Sequence, residues 1–252
     1  MRPRKATIFF AIFALAVSLG CIRLGFWQIE RLRERRASNA MVIARLTEAP
    51  TPLRAISPDA TARFRRATVS GTYDFENEFV LTSRSRNGSP GVHLITPLRL
   101  ADSDTAILVN RGWAYAPDGM RIDLTLYRED TNAVVDGFVE EYSQAQGMVS
   151  TPSVARAVRR LARDSIAVRL PYPVAPVVLV QRRDTGEFIA VERGTPIRAE
   201  PPPLDEGSHR SYAIQWFAFA VVGIAGSILV LQRDKTRRAG DGHDGHQSAM
   251  QR

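Results

Sequence analysis

Two stretches of this chain carry no charged residue, 6–22 and 211–232, and residues 23–210 between them mix apolar and polar positions at short range. A helix rises about 1.5 Å per residue and the hydrocarbon of a bilayer is about 30 Å thick, so roughly 20 residues cross it. The second stretch meets that length outright. The first meets it when the helix continues past Arg23 to Gln28. The pattern predicts a membrane hairpin with an inserted domain. Its parts are a cytoplasmic N-terminus (1–6), a first transmembrane helix (7–29) and a helical extension with linker (30–65). An external β-rich domain (66–200), a proline-rich approach (201–210), a second transmembrane helix (211–232) and a disordered cytoplasmic tail (233–252) complete it.

Beyond the first span, Glu30 and Glu34 stand one turn from later arginines, the spacing of a solvated helix, and Pro50, Pro52 and Pro58 end it. From Arg66 the texture changes to short runs of Val, Ile, Thr and Phe between turn residues. The expected strands are 66–73, 78–84, 91–99, 105–112, 133–141, 176–182 and 187–193. Asn87-Gly88-Ser89-Pro90-Gly91 and Asp184-Thr185-Gly186 predict turns, and only 154–163 reads as helical between strands. The fold class expected is a helical hairpin of two transmembrane helices plus an external α+β domain, its antiparallel sheet curled towards a barrel.

Charge sets the expected orientation. The net charge is +8, but much of it flanks the spans: Arg2, Arg4 and Lys5 before the first, Arg233, Lys235, Arg237 and Arg238 after the second. Basic flanks mark the cytoplasmic side. Arg31, Arg33, Arg35 and Arg36 compete after the first span, yet long translocated segments largely escape the rule. Both termini are therefore expected in the cytoplasm of a bacterial cell and the domain in the periplasm. With its basic residues beside the membrane, the chain is not expected to bind nucleic acid. Residues 2–21 also follow the three-part plan of a cleaved signal, but a lipoprotein box needs Leu where Ser18 stands. Cys21 is the only cysteine, which excludes an intrachain disulfide and a cysteine-built metal site; it reads as a small apolar helix residue.

Candidate chemistry is sparse. The chain has no nucleophile elbow, no phosphate-cradling glycine loop and no His-Glu-x-x-His, so it is not expected to be an enzyme. Of its four histidines, His243 and His246 lie in the tail and His93 in a strand. His209 stands where the second span begins. A helix starting there puts His209, Tyr212, Trp216, Phe219 and Gly223 on one face, with Gln215 at its edge. Such a face fits either an interfacial aromatic belt or an imidazole that ligates a haem iron above aromatic rings. Gly223 and Ser227 offer a close-packing surface to another helix. Arg23 is costly in hydrocarbon and either snorkels or meets a polar partner such as Gln215 or an acidic ligand group. Trp27 and Gln28 fall level with Trp216 and Gln215 when the two helices are antiparallel neighbours.

Five short blocks carry a resemblance: Leu24-Gly25-Phe26-Trp27-Gln28-Ile29-Glu30-Arg31, Gly71-Thr72-Tyr73, Gly91-Val92-His93-Leu94-Ile95-Thr96-Pro97-Leu98, Leu108-Val109-Asn110-Arg111-Gly112-Trp113, and His209-Arg210-Ser211-Tyr212-Ala213-Ile214-Gln215-Trp216-Phe217. In order and spacing the chain resembles the surfeit locus protein 1 family. The match is poor over 140–170, and Glu206-Gly207-Ser208 stands where relatives tend to carry asparagines. The resemblance implies an assembly factor for haem–copper cytochrome c oxidase that binds haem a and presents it to subunit I. It implies His209 as the iron ligand; on physical grounds Tyr212, Trp216 and Trp27 would then pack the macrocycle, and Arg31 or Arg210 would pair its propionates. The partners implied are subunit I, other assembly factors, membrane lipid and haem A synthase. Arg111 and Trp113 are expected to be structural or partner-facing. The alternative is a membrane-tethered periplasmic sensor or binding module without cofactor.

Overall fold

The computed structural model describes residues 5–59, 61–144, 156–182, 194–200, 202 and 204–249, with helix side chains as far as Thr236. The chain divides into two compact units, Met1–Ala40 with Leu204–Arg252, and Met41–Pro203.

The first unit is a pair of long helices, α1 (Lys5–Thr47) and α3 (His209–Ala249). Both are long and apolar enough to cross a membrane. Many of their large apolar side chains point away from each other: Phe9 is 74% exposed, Phe13 60% and Val222 69%, a distribution that water would penalise and lipid would not. The inward faces are small. On α1 the covered positions run Ala11, Ala14, Ser18, Cys21, Gly25, Gln28 and Leu32, and on α3 His209, Ala213, Trp216, Ala220, Gly223 and Ser227. These alternate in steps of three and four, the seam of a left-handed helix pair. Cys21 is therefore a packing residue of the seam. A Cβ on Gly25 would lie 2.7 Å from the Phe217 ring, and one on Gly223 would collide with Ser18 Oγ. Phe26 meets Phe217 edge-on at 5.4 Å. α3 runs on to Ala249 as helix, where the sequence reading expects a disordered tail after Gln232; the arginines and lysine that follow the span are good helix formers.

The second unit holds an eight-stranded sheet. Its strands are β1 (Thr51–Pro52), β2 (Arg66–Tyr73), β3 (Phe79–Leu81), β4 (Gly91–Leu100), β5 (Ala106–Tyr115), β6 (Asn132–Glu140), β7 (Ala157–Val158) and β8 (Val174–Gln181). β2 pairs with β6, β6 with β8, β8 with β5 and β5 with β4; β4 then pairs with β2 through Gly71↔Leu100, so the ladder returns to its first strand. Six expected strands are found close to their predicted bounds, and 187–193, like the turn at 184–186, lies outside the described residues. The 87–91 turn forms, with Arg86 bridged to Ser89 and both Asn87 and Gly88 at positive φ.

Two expectations are corrected. The sheet is mixed: β8 lies parallel to β5, β7 parallel to β3 and β1 parallel to β2. β5 is covered on both faces, with Ile107 and Val109 in one apolar cluster and Leu108 in another, as strands with a parallel neighbour usually are. The helix expected over 154–163 is absent from the described part of that stretch. Ala157 and Val158 instead pair with Val80 and Leu81, and a short helix, α2, follows at Arg163–Ala167. Burial of Val158 beside Phe79 outweighs the helical preference of its neighbours.

Candidate functional site

His209 opens α3, and its Nδ1 lies 2.8 Å from the Gln28 Oε1 of α1. The segment that delivers it is tied to α1 by polar contacts. Asn39 donates to the carbonyls of Leu204 and Asp205 at 3.2 and 3.0 Å, Arg35 donates to Asp205 O at 3.2 Å, and Arg36 grips Glu206 at 2.7 and 2.8 Å. Gly207 turns the chain at φ +66, and a Cβ there would stand 3.7 Å from His209 Nε2. That is ordinary contact distance, so it is the left-handed backbone, not crowding of the ring, that calls for glycine here. With Gln28 Oε1 as acceptor the ring donates from Nδ1–H, and in the neutral tautomer of that kind the lone pair sits on Nε2. An imidazole held this way has the form of a metal ligand oriented by its neighbour, and the donor set is compatible with a haem iron.

The other residues proposed from sequence are distributed around this pair. Trp216 is half-buried in the seam and meets Phe219 edge-on at 6.0 Å. Tyr212 is 47% exposed, Phe219 58% and Trp27 50%. The expected single face is thus split: His209, Trp216 and Gly223 turn inward, and Tyr212 and Phe219 outward, because the seam steps by four from His209 to Ala213 and from Trp216 to Ala220 and so passes over them. Arg31 lies over the Trp27 ring at 5.7 Å and pairs with Glu34 at 2.7 Å. Arg210 is exposed. Sequence spacing did not single out the Gln28–His209 bond; the apolar surroundings of a glutamine at a three-four seam position were the available signal.

In the second unit, the remaining blocks converge on Arg111. A bulge sets Leu94 opposite Gly112 and Ile95 opposite Asn110, leaving Arg111 as the extra residue; such bulges re-aim a side chain. Arg111 is fully buried. It bonds Glu78 at 2.8 Å, Glu129 at 2.6 Å and the Tyr127 carbonyl, and lies over the rings of Tyr73 and Phe75 at 5.6 and 5.0 Å. Thr96 donates to Glu78, and Arg198 pairs with Glu129 while donating to Arg111 O at 2.7 Å. Gly112, at φ +131, lets the Ile197 backbone pass where a Cβ would strike its carbonyl. Burial pushes the Glu78 carboxyl up against the pull of Thr96 and Arg111, and pushes the Tyr73 phenol up to about 12. Arg111, fully buried, thus takes the structural one of the two roles expected for it. Trp113 donates its indole N–H to Arg84 O at 2.8 Å. His93 faces the Asn110 amide at 3.0 Å rather than a carboxylate, and burial, with the charge of Arg84, pushes it down to about 4. His243 and His246 lie outside the described side chains.

A helical pair with a small-residue seam, a polar pair at the head of its second helix and a mixed sheet lying between the two helices in sequence define a two-helix unit with an inserted β unit. The chain belongs to the SURF1 family, whose sequence model matches residues 15–221. It is 31% identical over 120 residues to the Cytochrome oxidase assembly protein SHY1 of Saccharomyces cerevisiae, covering 44% of this chain and 31% of that protein. It is 23% identical over 250 residues to a SURF1-like protein of Caenorhabditis elegans, covering 84% and 71%. A SURF1-like protein of Rickettsia felis is 32% identical over 94 residues, covering 36% and 40%. The chain spans under half the length of the yeast and rickettsial relatives.

Proposed function

We propose that this chain acts in cytochrome oxidase assembly by holding haem a at the membrane boundary and passing it to subunit I of a haem–copper oxidase. The observation that carries the reading is the Gln28–His209 pair, a buried amide oriented on an imidazole at the head of a membrane-length helix. Haem a, when bound, would supply an iron able to take an imidazole nitrogen as a ligand. His209 is the ligand in this reading and Gln28 holds it in the tautomer with a bare Nε2. Trp27, Tyr212 and Trp216 provide aromatic surface, and Arg31 and Arg210 provide cations for the propionates. One histidine without a second strong ligand suits a carrier that must release its cargo.

The reading extends to placement and partners. Both termini lie in the cytoplasm of a bacterial inner membrane, and the sheet unit, with its barrel-like curl, is periplasmic. That unit meets subunit I, other assembly factors or haem A synthase, and no step of covalent chemistry is assigned to it.

The test is co-expression with the haem A synthetic enzymes, followed by absorption spectra of wild type and His209→Ala. Wild type is expected to copurify with haem a and the variant to lose most of it. An unchanged spectrum in the variant removes His209 as ligand. A wild type without haem, together with normal oxidase content in a deletion strain, favours the cofactor-free sensor or binding module.

A further inference from the structure

We propose that the outward face of α1 around Arg23 binds one phospholipid molecule, its phosphate on the Arg23 guanidinium and an acyl chain laid across Gly20. Between residues 20 and 40, the other arginines of α1 each have a carboxylate: Arg31 lies 2.7 Å from Glu34, Arg33 3.5 Å from Glu30, Arg35 3.9 Å from Asp205 and Arg36 2.7 Å from Glu206. Arg23 has neither a hydrogen bond nor an ion pair among the described residues, and it is exposed. It sits eight residues, about 12 Å, deeper along the helix than Arg31. An arginine at that depth extends towards the headgroups and takes an anion there.

The surface beside it has the matching shape. A groove of about 940 Å³ is lined by Gly20, Ile22, Arg23, Phe26, Trp27 and Glu30, among others. That is within the roughly 300–1,000 Å³ of small-molecule sites. A Cβ on Gly20 would meet nothing within 4 Å, so the missing side chain opens the groove and takes no part in the seam. The occupant needs an anion and a flexible apolar body, which a phospholipid combines. A partner helix is the less suitable occupant: the small residues that allow close helix approach, Ser18, Cys21 and Gly25, already face α3, and bulky Leu24 and Trp27 are left outward. The inference rests on α1 lying in a membrane and not on haem binding.

The full chain is extracted from membranes in mild detergent, a step that tests the membrane reading separately. Native mass spectrometry then follows titration with phosphatidylglycerol or with diacylglycerol of the same chains. Wild type is expected to bind one phosphatidylglycerol about tenfold more tightly than Arg23→Gln or Gly20→Ile, on the scale of a charge-assisted phosphate contact. Diacylglycerol is expected to show no preference for wild type over Arg23→Gln. Gly20→Ile enters open space and gains helix propensity, so its melting temperature should be no lower than wild type and its loss of lipid is not a folding defect. Equal phosphatidylglycerol binding in all three proteins overturns the site. So does a second protein that copurifies with wild type and is lost in Arg23→Gln.

Discussion

The imidazole of His209 and the side-chain amide of Gln28, 181 residues apart in sequence, meet at 2.8 Å across the seam between the first and last helices. Gln28 is a polar residue at a position where the neighbouring seam residues are Gly25 and Leu32, and only 9% of it is exposed. A buried amide there is tolerated because it has a partner. The bond also fixes which ring nitrogen of His209 is left for other chemistry.

Gln28→Leu should therefore act twice. Removing the acceptor leaves the imidazole N–H unpaired, at a cost of about 1–3 kcal/mol to the hairpin. It should also weaken haem binding about 10- to 100-fold, the usual effect of losing a group that orients a metal ligand. Haem titration of the detergent-solubilised variant measures the second effect and thermal melting the first. Wild-type affinity in Gln28→Leu would reduce Gln28 to a filler of the seam.

Gly25 and Gly20 should respond oppositely to one added methyl group. Gly25→Ala forces the Phe217 ring to move from 2.7 Å, and overpacking of this kind costs about 1–3 kcal/mol. Gly20→Ala adds its Cβ to open space and gains helix propensity, by up to about 1 kcal/mol. Melting temperatures in one detergent would separate the two; equal behaviour would mean that α1 and α3 do not pack through this seam.

Arg111→Met should destabilise the sheet unit by about 3–5 kcal/mol, because it leaves the buried Glu78 without its cation, whereas Glu129 keeps Arg198. Burial already pushes the Glu78 carboxyl up, so the loss should shrink as pH falls and that group takes a proton. Adding Glu78→Gln to Arg111→Met should recover part of the stability. Chemical denaturation at two pH values checks both points, and a loss independent of pH would contradict the buried-carboxylate account.

Acid should weaken the fold through His93. Its folded value is depressed from 6.5 to about 4, so between those values the unfolded chain binds a proton that the folded chain refuses. The stabilising contribution is complete above about 6.5 and is lost as pH falls towards 4, on the order of 2 kcal/mol. In His93→Gln this part of the pH dependence should vanish. A variant with the same acid sensitivity as wild type would assign the effect to other groups.

Much of the fold is legible along the chain. Charge-free stretches and runs of β-branched residues depend only on neighbours in sequence, so both long helices and six strands could be read before any contact was known. The stretch 154–163 misled because its alanines and arginines favour helix locally, whereas Val158 pairs with Leu81 across the fold. The antiparallel expectation failed because β8 lies between β5 and β6, a neighbour relation that strand spacing does not encode.

The same division holds for the candidate site. His209 stood out because a lone imidazole at the start of an apolar run is visible in a linear pattern, and the aromatic residues around it follow helical spacing. The chain alone thus determined where helices, strands and the candidate ligand lie. Only the tertiary structure decided that Gln28 holds that imidazole, that a bulge sinks Arg111 between Glu78 and Glu129, and that Arg23 faces outward without a carboxylate. Each of these depends on which distant backbones approach within a few ångströms, and that is set by packing between elements rather than by the order of residues within one.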